Sequence, residues 1–337
     1  MAHTPRTGCD TLVLRKIRPE TAETMPREPD RTALAHHPFR RTFLATRPAF
    51  LLLALAAAGI GVATSHASGL SIAPLWAGLT LLGAATFHAA INVHNDYFDD
   101  LNGTDPGNRE RQFPFTGGSR MIQNGVMSPE ATRQLAGWLY AATVGIGLCL
   151  LIPGGLPLLA LGLVGMTLGW AYSAPPLALN RRGLGELTVA AGFGLLMPVG
   201  ADLIQRGTLH TLPIWAGLGF ALMTANLLLI NQFPDLQADA QAGKRHWVVR
   251  LGRRRARYLY LAIAATAYLT PTLLVTNGHL PATTLMVWGA LPLSVLSGIM
   301  LWRHHDQPTR LRGALAGTVA ATLGYGGLLI VGLVAAG

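Results

Sequence analysis

From Pro48 to the last residue the chain is a succession of apolar stretches, each close to 20 residues long and poor in charge. A helix of about 20 apolar residues spans the hydrocarbon core of a bilayer. The lipid interior accepts only backbones whose polar groups are satisfied internally. Together these facts restrict the chain to an all-α integral membrane bundle. Stretches of the required length lie at 48–66, 72–95, 132–152, 155–173, 184–203, 211–232, 256–276, 280–302 and 311–336, so about nine transmembrane helices are expected. Turn formers punctuate them: Pro153-Gly154-Gly155, Pro175-Pro176, Asn277-Gly278 and Pro308. Only 12% of residues are charged, against about 25% in a soluble domain. A soluble two-domain fold would need polar helix faces that these stretches lack.

Charge sets the orientation. With the N-terminus in the cytoplasm and the spans alternating, all but Arg206 of the 26 Lys and Arg residues fall on the inside. Such asymmetry is the positive-inside rule, and one span more or fewer in the middle would scramble it. The net charge of +10 therefore reflects topology and contact with anionic lipid. Nucleic-acid binding is excluded, because the basic residues flank helices instead of forming a domain. The triplet Arg253, Arg254 and Arg255 reads as cytoplasmic anchors. Residues 1–44 are polar, rich in Pro and Arg, and lack the apolar core of a secretory signal. They read as a disordered cytoplasmic extension ahead of a membrane domain at 45–337. Cys9 and Cys149 lie in unlike settings and imply neither a disulfide nor a metal site.

Two inside loops are long, 96–131 and 233–255, whereas the outside loops are short, so function is expected on the cytoplasmic face. Both long loops follow the same pattern. The second helix ends Asn92-Val-His-Asn-Asp96-Tyr-Phe-Asp-Asp100, and the sixth ends Asn231-Gln-Phe-Pro-Asp235-Leu-Gln-Ala-Asp239. Each reads N-x-x-x-D-x-x-x-D, and residues at i, i+4 and i+8 share nearly one helix face. Intramembrane carboxylates are costly and normally face a cavity or a partner. Four of them aligned would repel one another without cations. Mg²⁺ is the favoured counter-ion, since it binds through few carboxylates plus substrate phosphate oxygens. The recurrence also implies a parallel repeat: two four-helix halves around a central cavity, with the motifs facing each other, plus a ninth helix.

Both following loops are basic. One contains Gly117-Gly118-Ser119-Arg120 and the other Gly243-Lys244-Arg245, and cations there would neutralise charge on a diphosphate leaving group. A third segment, Tyr172-Ser173-Ala174-Pro175-Pro176 through Asn180-Arg181-Arg182 to Glu186, ends the fourth helix at its prolines. Tyr172 and Arg182 are its candidates for contacting an aromatic, anionic acceptor; a plain structural turn is the alternative.

These three blocks together resemble the UbiA-type intramembrane aromatic prenyltransferases over about residues 40–337. The resemblance implies a site of two Mg²⁺ ions and an isoprenyl diphosphate, with the prenyl tail in an apolar channel open to the bilayer. Carried over, Asn92, Asp96, Asp100, Asn231, Asp235 and Asp239 form the metal–diphosphate cage, the four Asp being the metal ligands, and Arg120, Lys244 and Arg245 attend the diphosphate. Within the family, Asn95-Asp96-Tyr97 with Gly103-Thr104-Asp105, Gly118-Ser119-Arg120 and Gly125, and Ala242-Gly243-Lys244-Arg245 ahead of Arg250-Leu251-Gly252, look most like the 1,4-dihydroxy-2-naphthoate branch of menaquinone synthesis. The "RT…RP" block of the 4-hydroxybenzoate and haem O branches is missing. Gln232-Phe233-Pro234 and His246-Trp247 depart from the menaquinone pattern and bear on acceptor identity.

The implied chemistry is departure of diphosphate, formation of an allylic cation in a dry pocket, and attack by an electron-rich ring. No activated Ser or Cys motif is present. His94 is expected to point away from the cavity, and Asp99 and Asp105 are supporting groups. The implied setting is a bacterial-type inner membrane with the active-site loops cytoplasmic, and no protein partner is implied. The rival class is an ion-coupled transporter, which would place ionisable groups in mid-helix within an inverted repeat.

Overall fold

Each apolar stretch becomes a helix. In a computed structural model, which describes residues 27–337, the long helices are α3 (Pro48–Ala67), α4 (Pro74–Leu101), α6 (Pro129–Ser173), α7 (Gly185–Arg206), α8 (Leu212–Gln241), α9 (Trp247–Thr276), α10 (Ala282–His304) and α11 (Arg312–Val334). The short helices α1 (Arg31–Leu34), α2 (Pro38–Ala45) and α5 (Thr104–Gly107) complete the set. Proline opens α3, α4 and α6, where its missing N–H costs nothing. Ser128 caps α6 by accepting from the Ala131 amide at 3.1 Å.

The 45 residues of α6 would extend to roughly 68 Å if unbroken, over twice the bilayer core. Gly155 breaks the run with φ 58° and ψ −158°, between Pro153 and Pro157. Divided there, eight elements make the nine passages expected. The two four-helix halves are then α3–α6 and α7–α10. Helix α11 packs on α3 of the first half and on α8 and α10 of the second. The main core gathers Phe50, Ile60, Phe220, Met223, Tyr268 and Tyr325. Its phenols are satisfied internally, Tyr325 by the Ala267 carbonyl at 3.0 Å and Tyr268 by Ser294 at 2.8 Å.

Arg206, the one exception to the charge rule, has a local reason. Asp202, fully buried on the same helix, accepts from Arg206 Nε at 2.7 Å and from the Thr64 and Ser65 hydroxyls at 2.8 Å each. This pair pins α7 to α3 at the end remote from the Asp motifs.

Helices α7 and α8 cross almost backbone to backbone. A Cβ on Gly217 would stand 1.7 Å from the Gly194 carbonyl oxygen, inside a widened π-type turn at Gly192–Leu196. Gly217→Ala is expected to destabilise the fold by about 1–3 kcal/mol. The check is its thermal midpoint in detergent, which falls below that of the unaltered chain.

Residues 1–26, with Cys9 and most of the expected extension, lie outside the described residues. Residues 28–44 differ from the expectation of disorder. Leu34 is buried among Val93, Met121 and Val126, and the Glu28 carboxylate accepts from Arg111 at 2.8 Å and Asn124 at 3.2 Å. The apolar residues here are too few for a membrane-length run, and their partners lie 59 to 96 residues away, so nothing local announces the packing.

Candidate active site

His88, Asn92, Asn95 and Asp99 follow one another along α4 at spacings of four, three and four, which places them on a single face. All four line a central cavity. Asn231, Asp235 and Asp239 of α8 supply another part of its wall, and Asp105 of α5 joins them. The amide and carboxylate groups hold one another. Asn95 Nδ2 donates to Asp99 Oδ2 at 3.2 Å and to the Ser173 hydroxyl at 3.0 Å. Asn108 Nδ2 donates to Asp235 Oδ1 at 2.7 Å.

Lys244 ties the two motifs together. Its ammonium lies 3.0 Å from Asp99 Oδ2 and 3.1 Å from Asp239 Oδ1. The other Asp239 oxygen meets His246 Nε2 at 2.9 Å. His246 Nδ1 accepts from the Val249 amide as the N-cap of α9, so the ring proton sits on Nε2 and is donated to Asp239. Lys244 belongs to the connection between α8 and α9. Burial opposes its charge, but the carboxylates of Asp99 and Asp239 outweigh burial and hold its pKa above the ordinary lysine range. Asp105, in the connection after α4, goes the other way. Burial first, then the Asp99 and Asp96 carboxylates, pushes its pKa well up.

Beyond the acidic groups the cavity turns apolar, with Leu53, Phe87, Ile91, Leu168, Phe193 and Met197 along its wall. A charged head and an apolar tail can thus be held together. The Asn231 side-chain oxygen Oδ1 is buried without a hydrogen-bond partner in a residue that lines the cavity. Among the described residues no three Asp, Glu, His or Cys side chains converge on one metal point. The side chains that could approach an ion here, Asp99, Asp105, Asp235, Asp239 and Asn231, offer oxygen donors, the kind Mg²⁺ takes.

The structure spreads the remaining expected residues differently. Asp96 lies behind the cavity wall, where its Oδ2 accepts from the Ser119 amide at 3.1 Å. It thereby holds the Gly117-Gly118-Ser119 turn. At Gly118, φ is 72° and a Cβ would come within 2.5 Å of Asp105 Oδ2, so only glycine lets this turn reach the acids. Asp100 is off the wall too and accepts from Gln123 at 3.0 Å. Asn92 lines the cavity but gives its amide to the Thr46 carbonyl at 3.0 Å. The Arg120 guanidinium is turned onto the Asp105 carbonyl at 2.7 Å. Arg245 is exposed, its amide bonded to the Arg181 carbonyl at 2.7 Å. Arg182 is exposed and donates to the Pro176 carbonyl at 2.6 Å, whereas Tyr172 does line the cavity. His94 turns away to Tyr140, 3.4 Å distant. Arg253, read as an anchor, donates to the Phe233 carbonyl at 2.8 Å and to Glu110 at 2.7 Å.

The model of the UbiA prenyltransferase family matches residues 50–319, a span that holds both acidic faces, Lys244 and the apolar channel. The chain belongs to the UbiA prenyltransferase family. Among relatives of this UbiA prenyltransferase, the 1,4-dihydroxy-2-naphthoate octaprenyltransferase of Bacillus subtilis (strain 168) is 25% identical over 244 residues, covering 72% of this chain and 76% of the relative. The enzyme of the same name from Escherichia coli (strain K12) is 28% identical over 307 residues, covering 85% and 92%. A UbiA homolog from Archaeoglobus fulgidus bound to DMAPP and Mg²⁺ shares the fold, with a TM-score of 0.59 and 16% identity, covering 86% of this chain and 99% of that one. The protein is thus a prenyltransferase integral to a membrane.

Proposed function

We propose that this UbiA prenyltransferase transfers a prenyl group from an isoprenyl diphosphate to 1,4-dihydroxy-2-naphthoate, with Mg²⁺ required. The observation that carries the reading is the pair of amide–carboxylate faces on α4 and α8, bridged by Lys244, at the mouth of an apolar channel. Asp99, Asp105, Asp235 and Asp239 would hold the metal with the diphosphate oxygens, Asn95 and Asn231 assisting. When bound, Mg²⁺ neutralises charge growing on the departing diphosphate. Lys244 adds a fixed positive charge at the same place. The apolar wall keeps water from the allylic cation, and Tyr172 borders the space left for the acceptor ring. Asp96 acts through the glycine turn it holds. The magnesium-bound homolog supports the metal requirement, and the relatives' naphthoate activity supports the acceptor. The segregation of Lys and Arg favours a cytoplasmic face for the site in a bacterial-type inner membrane.

The test uses detergent-purified protein, Mg²⁺ and radiolabelled geranylgeranyl diphosphate, with 1,4-dihydroxy-2-naphthoate or 4-hydroxybenzoate as acceptor. Label is expected in a naphthoquinone-type product and absent when EDTA is added. Transfer to 4-hydroxybenzoate alone would replace the acceptor, and transfer unaffected by EDTA would remove the metal.

A further inference from the structure

The connection between α4 and α6 bears directly on the site. Its Asp105, Thr116, Gly117 and Gly118 line the cavity, and its Asn108 holds Asp235. Yet it is built of turns around the four-residue helix α5, too short to be rigid by itself. What holds its outer side is the segment ahead of the first span. Asp30 shapes that segment by capping α1, accepting from the Ala33 amide at 2.9 Å. Glu28 then reaches two distant points of the connection. Its Oε1 accepts from Arg111 Nε at 2.8 Å and its Oε2 from Asn124 Nδ2 at 3.2 Å. The same Asn124 nitrogen donates to the Pro29 carbonyl at 2.9 Å. Leu34 completes the seat, buried against Met121 and Val126.

The contact continues inward. Arg111 Nη1 donates to the Asn108 carbonyl at 2.7 Å, and Asn108 Nδ2 donates to Asp235 Oδ1 at 2.7 Å. A chain of hydrogen bonds therefore runs from Glu28 through Arg111 and Asn108 to an acid of the cavity. Arg111 also packs on the glycine turn: at Gly117, φ is 79° and a Cβ would come within 2.7 Å of Arg111 Cβ. Arg120, whose Nε is buried without a hydrogen-bond partner, stands 4.0 Å from Glu28 Oε2. One carboxylate thus faces two guanidiniums, and its loss would leave like charges to repel. With side-chain exposures of 29% for Glu28 and 25% for Arg111, the pair is better shielded than a surface ion pair. Resting on the reading of Asp235 as part of a Mg²⁺-diphosphate site, we infer that residues 28–34 latch the connection after α4. Glu28 is then a positioning residue for Asp235, acting through Arg111 and Asn108.

The test compares the full-length Glu28→Gln variant with the unaltered protein in detergent. Without ligand, amide hydrogen exchange over 108–124 is expected to quicken about 5- to 10-fold. Unchanged exchange in α8 shows that the bundle is intact. In Mg²⁺, affinity for geranyl S-thiolodiphosphate, an unreactive donor analogue, should fall about 3- to 10-fold. Glu28→Asp, which keeps the charge, should recover part of both effects. Asn108→Ala cuts the chain next to the acid, and adding Glu28→Gln to it is expected to weaken binding no further, since both act along one path. Additive losses of affinity, unchanged exchange over 108–124, exchange quickened equally in α8, or quickened exchange with affinity intact would overturn the assignment. If the unaltered protein binds no thiolodiphosphate, the reading of the site fails. Quickened exchange in Glu28→Gln then keeps the latch, and unchanged exchange removes it as well.

Discussion

Asp235→Asn and Asp99→Asn are each expected to lower kcat/KM for prenyl transfer by about 10²- to 10³-fold, while the chain still inserts and purifies as a folded bundle. Asn keeps the shape and most of the hydrogen bonding, so what is removed is a negative charge at the mouth of the channel. Asp235 is held by Asn108 and Asp99 by Asn95 and Lys244, and these contacts orient the carboxylates before any ligand arrives. The Mg²⁺ concentration needed for half-maximal activity should rise in both variants. Asp100→Asn is the internal comparison. Asp100 lies off the cavity wall, bonded to Gln123, and its loss should leave activity within a few-fold of the unaltered protein. If Asp100→Asn proves as damaging as Asp99→Asn, the carboxylates on α4 are assigned to the wrong face.

The second large effect is expected at Lys244. Lys244→Met leaves Asp99 and Asp239 facing each other with no cation between them, and breaking a buried pair in this way costs about 3–5 kcal/mol. The variant should unfold at a lower temperature, recover part of that loss in millimolar Mg²⁺, and turn over about 100-fold more slowly. Because the folded-state pKa is raised, the ammonium's stabilising contribution is complete below the ordinary lysine value of about 10.4. It is lost only as pH climbs through the higher folded value. Stability differences between Lys244→Met and the unaltered protein should therefore be flat across neutral pH. A difference that vanished between pH 6 and 8 would rule out Lys244 as the bridging cation.

The bundle itself was legible because membrane length and charge asymmetry are carried by whole stretches of chain and survive errors of several residues. The site was legible in part. The α8 triad Asn231, Asp235 and Asp239 lines the cavity as its spacing indicates. On α4 the same spacing starting at Asn92 selects Asp96 and Asp100, whereas the amide and carboxylate that share the wall with Asn92 are Asn95 and Asp99. A shift of three residues turns a helix by only about 60°, so both sets satisfy one face within the tolerance of a pattern. What separates them is where distant segments return. The Gly117–Ser119 turn comes back onto Asp96, and Lys244 reaches across to Asp99. Asp105, named only as a support, reaches the wall through α5, whose four residues carry no periodic signal.

The lacing of the two connections on the acidic side has a consequence for Lys244. Arg181 donates to the Ala242 carbonyl at 2.8 Å, the Trp247 indole to the Gly183 carbonyl at 2.9 Å, and Arg250 to the Arg182 carbonyl at 2.6 Å. The turn after α6 and the loop carrying Lys244 are thereby tied to each other, so a change that loosens one is felt by the other. The position of the bridging ammonium is in this way set by side chains that do not line the cavity.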